Sequence, residues 1–507
     1  MANTFKIPRS HLIMALCLPL AMVLGYFLAE PMDSGSVTVV VFLLVILAVP
    51  LMMKWHHALL VLSWNAWVTP QFLPGQPYLW MMMAPASLLF AVLNRSVKPD
   101  YRFVSVPSVT KPLLFFAGVV GVTAMLTGGI GFHSLGAARH GGKGYLYIFA
   151  AVAGYFGLVS QRIPAQRVGL YLAMFFLPGI TSLVANFAYW AGPGFYFLFS
   201  FFPSSFAMEQ AMGEYALDSG SIFRIGGLAV ANLSLSAFLL ARYGIRGVLD
   251  LSKPWRGLLF LLAVAGCAAC GFRSNLILFG LTFCILFYLE GLHRTRFLAF
   301  FVGLSLAGAA VILPLADKMP LVVQRTLSFL PAAVDPIVQQ SATSSSEWRW
   351  EIWKTVLPDI PKYLLKGKGY SMDPRDLEIG MGPRLASNSA SVVGGEYHNG
   401  PLSVIIPFGI FGVLGFGWFL TAVLRLLYHN YQYGDPRLKQ ANTFLLTAFI
   451  AKTAFFCVVF GSLYTDFFVF TGLAGLSVSL NGEAETEVAE EKTEESLEAL
   501  ETLSFEE

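Results

Sequence analysis

The chain has 507 residues, of which 56% are hydrophobic and only 12% are charged. Because soluble domains average about 25% charged residues, this composition excludes a soluble globular protein and indicates a polytopic membrane protein. The net charge of +3 comes from Lys and Arg scattered through short loops, which excludes a basic nucleic-acid-binding face.

Fourteen apolar segments follow one another along the chain, with lengths typical of membrane-crossing helices. They lie at 11–29, 37–53, 57–73, 77–94, 112–130, 144–161, 168–190, 226–241, 257–272, 274–290, 297–314, 402–427, 442–461 and 466–480. The third is the weakest because Trp64, Asn65 and Pro70 interrupt it, and residues 194–202 are a further re-entrant or interfacial candidate. We predict an all-α polytopic membrane protein with about 12–14 transmembrane helices.

Charges in the loops predict the orientation of these helices. Lys6 and Arg9 precede the first apolar segment, which has no clear cleavage site and is therefore predicted to be a retained helix rather than a signal peptide. Further Lys and Arg residues concentrate in alternate short loops, so both termini are predicted to be cytoplasmic.

The chain divides into four predicted regions. Residues 1–314 hold about eleven helices, residues 315–400 form one long outer loop, residues 401–480 hold about three helices, and residues 481–507 form a tail. The tail is rich in Glu and cannot bury enough apolar surface to fold alone, so we predict that it is disordered and cytoplasmic.

The long outer loop contains a polar stretch followed by an aromatic one. The polar stretch, Ser341–Ser346, is predicted to be flexible. The spacing of Trp350, Trp353 and the apolar residues after them predicts an amphipathic helix at the membrane interface. Pro358 and Pro361 are expected to bend or break that helix.

Three ionisable residues on the outer side could form one site. Arg273 lies at the joint between two apolar runs, where a cation near lipid is costly unless an anion pairs with it, although it could also simply reach the lipid headgroups. Arg349 lies between Trp348 and Trp350 and could be an interfacial cation, and His398 could be a surface histidine. Together, two guanidiniums match a phosphate group, and an imidazole can accept a proton from a hydroxyl. That combination suits transfer from a pyrophosphate leaving group.

Further polar residues have weaker signals. Arg224 could line the same cavity or simply begin a helix on the outer side. Lys452 lies within a crossing and needs a partner, which Asp466 could supply as a structural ion pair. Glu396 could orient His398.

Two local patterns predict packing rather than chemistry. All five cysteines fall in apolar runs, and Cys267 and Cys270 are predicted to be buried packing residues, with neither a disulfide nor zinc implied. Gly409 and Gly412 are three residues apart and predict a small-residue helix face that another helix could approach closely.

Four elements follow one another in the second half of the chain. They are Arg273, Arg349 with Trp353, Gly367-Lys-Gly369, and His398-Asn399 followed after nine residues by Gly409-Ile-Phe-Gly412. Their order and spacing resemble the bacterial O-antigen ligase and O-antigen polymerase superfamily, integral-membrane glycosyltransferases of the GT-C type. Val413 stands where that family usually has Thr, and Phe-Arg-Ser replaces its commoner Ser-Arg-Gly. The resemblance covers roughly residues 220–430, and the preceding half matches only in hydropathy.

The resemblance implies an inverting, metal-independent glycosyltransferase that uses no cofactor and acts at the periplasmic face of the bacterial inner membrane. Its donor would be a glycan on undecaprenyl pyrophosphate, and its acceptor a lipid A–core sugar. His398, Arg349 and Arg273 would be catalytic, with the arginines holding the pyrophosphate. Asn399 would orient the acceptor, and we predict Arg224 as a further substrate-binding residue.

Two alternatives remain open from the sequence. The same superfamily contains O-antigen and exopolysaccharide polymerases, whose acceptor is another lipid-linked glycan. A transporter or flippase of lipid-linked sugars is the alternative from another class, with Lys452 and Asp466 as its coupling pair. Besides donor, acceptor and membrane lipids, we expect polysaccharide-assembly proteins as partners and no nucleic acid.

Overall fold

The computed structural model describes residues 34–73, 75–97, 103–128, 142–215, 222–370 and 395–482, together with residues 19, 22 and 25. By its internal contacts the chain divides into residues 1–56 and residues 57–507. In the first unit, the continuous described backbone is the beginning of one helix. Apart from three positions, the predicted crossing at 11–29 lies outside the described residues, as do loop residues 371–394 and the acidic tail after residue 482.

The described residues form α-helices and short 3₁₀ segments, and they contain no β-strand. The helices before the long loop are α1 (Ser34–Ser63), α2 (Leu79–Val97), α3 (Pro107–Thr127), α4 (Gly142–Leu158), α5 (Val168–Phe176), α6 (Leu183–Ala191), α7 (Ser205–Tyr215), α8 (Gly226–Val248), α9 (Pro254–Ala269), α10 (Arg273–Leu289) and α11 (Arg296–Leu315). Those in the loop and after it are α12 (Leu321–Leu327), α13 (Pro336–Val356), α14 (Ile360–Tyr363), α15 (Gly400–Tyr433), α16 (Lys439–Val458) and α17 (Leu463–Asn481).

Eight described helical stretches are long and apolar enough to cross a membrane. They are Leu79–Val97, Pro107–Thr127, Ala165–Ala191, Gly226–Val248, Arg296–Lys318, Gly400–Tyr433, Pro436–Val458 and Leu463–Asn481. Shorter apolar helices accompany them at Leu47–Ser63, Pro254–Ala269 and Arg273–Leu289. The predicted all-α polytopic membrane protein is confirmed, with fewer such stretches among the described residues than the sequence predicts.

The third predicted crossing does not form a helix of its own, because its polar and aromatic residues are part of the core. Helix α1 ends one residue before Trp64, and the chain then turns. The Trp64 indole is fully buried, and a methyl group added at Gly154 or Gly472 would collide with it. Asn65 Nδ2 donates a hydrogen bond to the carbonyl of Phe175 at 2.8 Å. These contacts hold the segment against the neighbouring helices as an irregular turn.

The predicted interfacial piece at 194–202 is a 3₁₀ helix over Pro193–Ser200. It bonds to the turn that follows Trp64, since the backbone N–H of Thr69 donates to the carbonyl of Phe201 at 2.8 Å. Two irregular segments thus satisfy each other's backbone groups.

The described part of the long loop before residue 371 is largely helical. Asp335 caps α13 by accepting a hydrogen bond from a backbone N–H of its first turn at 2.8 Å, and Val338 and Ala342 are buried. The run Ser341–Ser346 lies inside α13, so the prediction that it is flexible is wrong. Helix α13 ends at Val356, Pro358 lies in the 3₁₀ turn that follows, and Pro361 lies in the short helix α14. The predicted break is therefore confirmed.

Helix α15 is kinked at Gly409, which has φ 61° and ψ −159°. The kink receives the turn after α14, because Ile410 N donates to the Leu364 carbonyl at 2.7 Å and Lys368 N to the Ile406 carbonyl at 2.9 Å. A Cβ atom at Gly409 would lie 2.5 Å from the Leu364 carbonyl oxygen. The backbone that approaches this glycine is that of Tyr363 and Leu364, at the end of the short loop helix α14. The predicted close approach therefore involves a loop helix rather than a membrane-crossing one, and it holds the long loop against α15.

Candidate anion-binding site

Several helix ends meet at one end of the bundle. Helices α8, α10, α15 and α17 begin there, and α9 and α16 end there. Ile225, just before α8, donates its N–H to the carbonyl of Cys270, just after α9, at 3.0 Å. Leu463, the first residue of α17, donates its N–H to Ser403 Oγ in the first turn of α15 at 2.9 Å. The loop helices α12 and α13 join this group of ends.

A cavity of about 180 Å³ lies between the helix ends and the loop helices. Four arginines line it, and they are Arg224, Arg273, Arg325 and Arg349. We call it the four-arginine cavity. Ser345, Ser346 and the rings of Phe272 and Phe329 complete much of its wall, so a polar ligand would meet cations, hydroxyls and aromatic surface together.

Arg224 and Arg273 are held where helices begin. Arg224 precedes α8 and forms an ion pair with Glu209, with 3.8 Å between Nη1 and Oε1. Its guanidinium carbon lies 5.4 Å from the centre of the Phe272 ring. Arg273 is the first residue of α10, and its Nη2 donates to the Ala342 carbonyl of α13 at 3.0 Å. The predicted residues Arg224 and Arg273 are thus brought to one cavity.

Arg325, in α12, is a site residue that the sequence analysis missed. Its side chain is only 3% exposed, and Nη2 donates to Ser345 Oγ at 3.2 Å. Within the described part of the chain, its buried Nε and Nη1 have no hydrogen-bond partner. The available signal was the single charged residue in the short stretch Leu-Val-Val-Gln-Arg-Thr-Leu, because a charge that becomes buried requires a partner.

Among the described residues, one carboxylate, that of Glu209, forms an ion pair with a cavity arginine, Arg224. Because four guanidiniums line the four-arginine cavity, it carries an excess of positive charge. Burial lowers the pKa of Arg325 to about 9, and repulsion from Arg224, Arg273 and Arg349 adds to the effect. Burial also lowers the pKa of Arg349 and of Arg224. A guanidinium with a pKa near 9 is still protonated at neutral pH, so the cavity is suited to an anion with more than one negative charge.

His398 lies next to the cavity, two residues before α15. Its backbone has a φ of 50°, unusual for a residue other than glycine. The imidazole lies between Trp348 and Phe460, with 5.0 Å between ring centres in each case. The guanidinium carbon of Arg349 lies 5.5 Å from the centre of the same Phe460 ring. The three residues predicted to be catalytic therefore come together, two lining the cavity and one beside it.

The environment of His398 keeps its imidazole neutral. Burial, with a further contribution from the charge of Arg349, lowers the pKa of His398 to about 4. Its Nδ1 is buried and has no hydrogen-bond partner among the described residues. A neutral imidazole with an available nitrogen can accept a proton from a hydroxyl group.

The two neighbours of His398 that the sequence singled out have structural contacts of their own. Asn399 caps α15, since its Oδ1 accepts the N–H of Leu402 at 3.1 Å. Glu396 accepts a hydrogen bond from the hydroxyl of Tyr464 in α17. Substrate binding by Asn399 and orientation of His398 by Glu396 remain predictions.

Residues 258–417 match a protein-family model described as O-antigen ligase. Over this segment the chain is similar to the O-antigen ligase family. The match confirms the resemblance to the O-antigen ligase and polymerase superfamily and indicates a multi-pass membrane enzyme related to glycosyltransferases. No curated protein and no solved structure matches the chain.

The matched segment, residues 258–417, contains most of the site. Arg273, Arg325, Arg349 and His398 lie inside it, whereas Arg224 lies before it. The kinked glycine Gly409 is also inside, so the segment contributes both the cations and the backbone that positions them.

Two other predictions concern residues away from the cavity. Lys452 Nζ lies 2.7 Å from Asp466 Oδ1, which confirms the predicted ion pair. Cys267 and Cys270 are free and buried, as predicted for packing residues. Among the described residues, no group of three or more His, Cys, Asp or Glu side chains could hold a metal ion.

Proposed function

We propose that this protein is an inverting glycosyltransferase that moves a glycan from undecaprenyl pyrophosphate to a sugar hydroxyl of lipid A–core. It would act at the periplasmic face of the bacterial inner membrane, with both termini in the cytoplasm. The observation that carries the proposal is the four-arginine cavity beside His398, built largely from an O-antigen ligase segment.

In this proposal the arginines bind the diphosphate of the donor. Guanidinium groups bind phosphate oxygens through paired, charge-assisted hydrogen bonds. Arg273 and Arg349 are supported on different elements, α10 and α13, so they can approach the diphosphate from two sides. Preorganised cations in a poorly solvated site stabilise charge that develops on a leaving group. They would do so without a metal ion or other cofactor.

His398 supplies the base in the same proposal. The acceptor hydroxyl loses its proton to the neutral imidazole as its oxygen bonds to the anomeric carbon of the donor sugar. The bond between that carbon and the phosphate oxygen breaks, and the diphosphate leaves with the electron pair. Attack from the face opposite the leaving group inverts the configuration at the anomeric carbon.

Purified protein tests this proposal directly. An undecaprenyl-pyrophosphate-linked glycan is supplied with two competing acceptors, lipid A–core and a second donor molecule, and product size is read on a gel. We expect glycosylated lipid A–core. Arg273→Ala, Arg349→Ala and His398→Ala should each lower the transfer rate about 100-fold or more, and Arg437→Ala, a change at an exposed, paired surface residue, should not. Full transfer by these three site variants would contradict the mechanism.

The same assay separates the alternatives. Growth of the lipid-linked glycan instead of lipid A–core glycosylation would indicate a polymerase of the same superfamily. The hypothesis of a transporter or flippase is supported by one observation, the Lys452–Asp466 ion pair. The convergence of Arg273, Arg349 and His398 supports an enzyme, because a transporter has no need to place a neutral base beside an anion site.

Partners other than the substrates also belong to the proposal. Lipid donor and acceptor would both be drawn from the membrane around the helices. Polysaccharide-assembly proteins are the protein partners that this activity would require, because donor must be supplied and product removed.

A further inference from the structure

Of the four cavity arginines, Arg325 is the most deeply buried. Its guanidinium is almost fully buried, one nitrogen bonds to Ser345, and Nε and Nη1 have no partner among the described residues. A buried charge without partners is strongly destabilising. Such an arrangement is expected where a ligand provides the missing acceptors.

We propose that Arg325 binds the terminal phosphate of the diphosphate leaving group, and that the four-arginine cavity matches the released diphosphate better than the intact donor. This inference rests on the proposed glycosyl transfer. It adds a residue that lies outside the predicted catalytic set and assigns it one specific part of the ligand.

Charge supports the assignment to the released diphosphate. Four guanidiniums line the cavity, and among the described residues one carboxylate, that of Glu209, forms an ion pair with one of them, Arg224, which leaves an excess of three positive charges. A diphosphate joined at both ends carries about two negative charges. Once the sugar is gone, the terminal phosphate acquires a second ionisation with a pKa of about 6, so the total approaches three at neutral pH.

Position supports the assignment to Arg325. Arg325 lines the cavity together with the other three arginines, and their repulsion contributes to the lowered pKa of Arg325. Its Ser345 contact lies one helical turn before Arg349 on α13, on the same face of that helix. A phosphate accepting from a free N–H group of Arg325 in this cavity would therefore also lie near Arg349, the residue beside His398.

The consequence for catalysis follows from the change in charge during transfer. When the bond between sugar and phosphate breaks, its electron pair stays on the phosphate oxygen, and this new charge is what Arg325 would bind. An interaction that strengthens along the reaction lowers the barrier, whereas equal binding of donor and transition state does not. Arg325 should therefore affect kcat more than the KM for the donor.

Ligand binding tests the inference without requiring turnover. The probes are undecaprenyl diphosphate, undecaprenyl monophosphate and inorganic pyrophosphate, each titrated into purified full-length protein. We expect wild type to prefer the diphosphate lipid over the monophosphate lipid. Arg325→Gln should weaken diphosphate binding about 10- to 100-fold, as expected for a lost hydrogen bond to a charged group. Arg325→Lys should recover part of the affinity because it keeps the charge.

Thermal unfolding of the same samples separates binding from folding. Removal of an uncompensated buried charge should leave ligand-free Arg325→Gln at least as stable as wild type, while the stabilisation by undecaprenyl diphosphate is lost. A merely structural Arg325 would give the opposite, a less stable ligand-free protein. Glu209→Gln, which removes the one negative charge, should strengthen diphosphate binding, and Arg437→Gln should match wild type.

The binding measurements test the role of Arg325 independently of the proposed glycosyl transfer. Equal diphosphate affinity in wild type and Arg325→Gln overturns the inference, as does a wild type that does not prefer diphosphate over monophosphate. Loss of diphosphate binding in Arg325→Gln supports it, even in a preparation that shows no glycan transfer. In that case only the glycosyltransferase proposal fails, because the binding result is independent of turnover.

Discussion

The imidazole of His398 and the guanidinium of Arg349 lie against the same aromatic ring, that of Phe460, at 5.0 and 5.5 Å from its centre. The ring contacts both the neutral imidazole and the guanidinium at one end of the bundle. An acceptor hydroxyl activated by the first would thus be close to a diphosphate bound by the second.

The acid limb of the pH profile, the range in which kcat/KM falls as the pH is lowered, should lie at a lower pH than an ordinary histidine would give. Because burial and Arg349 lower the pKa of His398 to about 4, its neutral form persists as pH falls from 7 to 5. We expect kcat/KM for transfer to be nearly constant over that range and to fall only as pH approaches 4. A fall centred near 6.5 would contradict the assignment. His398→Ala should lower kcat about 10²- to 10⁴-fold, whereas His293→Ala should not.

Phe460→Ala should move that acid limb upward. Without the ring, water reaches His398, and the desolvation that lowers its pKa is reduced. We expect the pH at half-maximal kcat/KM to rise toward 6.5 and kcat to fall as Arg349 loses its support. Phe300→Ala removes a ring that is 55% exposed and should change neither quantity. An unshifted limb in Phe460→Ala would argue against burial as the cause.

Gly409→Ala should weaken the attachment of the loop to α15. A Cβ atom there would lie 2.5 Å from the Leu364 carbonyl oxygen, and the positive φ is itself unfavourable for alanine. We expect a loss of about 1–3 kcal/mol in unfolding free energy and a fall in kcat, because α13 carries Arg349. Gly417→Ala, in the same helix with open space around it, is the matched control and should not destabilise. Equal stability of the two variants would contradict the role of the kink.

The Lys452–Asp466 pair should show the asymmetry of a buried ion pair. Their side chains are 14% and 12% exposed, so Lys452→Met alone leaves a largely buried carboxylate. We expect that single change to cost about 3–5 kcal/mol, and the double change Lys452→Met, Asp466→Leu to cost much less. Thermal unfolding measures both. Retained glycan transfer in the double variant would show that the pair is structural and would remove the main support for a transporter.

Sequence reasoning succeeded where the physics is local to one stretch of chain. Long apolar runs predict membrane-crossing helices because backbone polar groups in lipid must be paired within the segment. Pro358 and Pro361 predict the end of a helix because proline lacks the N–H that a helix needs. Arg273 and Lys452 were conspicuous for the same kind of reason, since a cation in or near lipid requires a partner wherever the chain places it.

Only the tertiary structure decided how these parts meet. The hydrogen bond from Arg273 to the Ala342 carbonyl joins residues 69 positions apart. Neither stretch of sequence predicts that it contacts the other. Arg325 became a site residue because the fold buries it beside the cavity, and Gly409 became a kink because loop backbone enters there. By itself, the sequence determined the membrane helices and the residues that must find partners, because those follow from local chemistry. The fold decided which partners they find, because burial and charge repulsion depend on elements far apart along the chain.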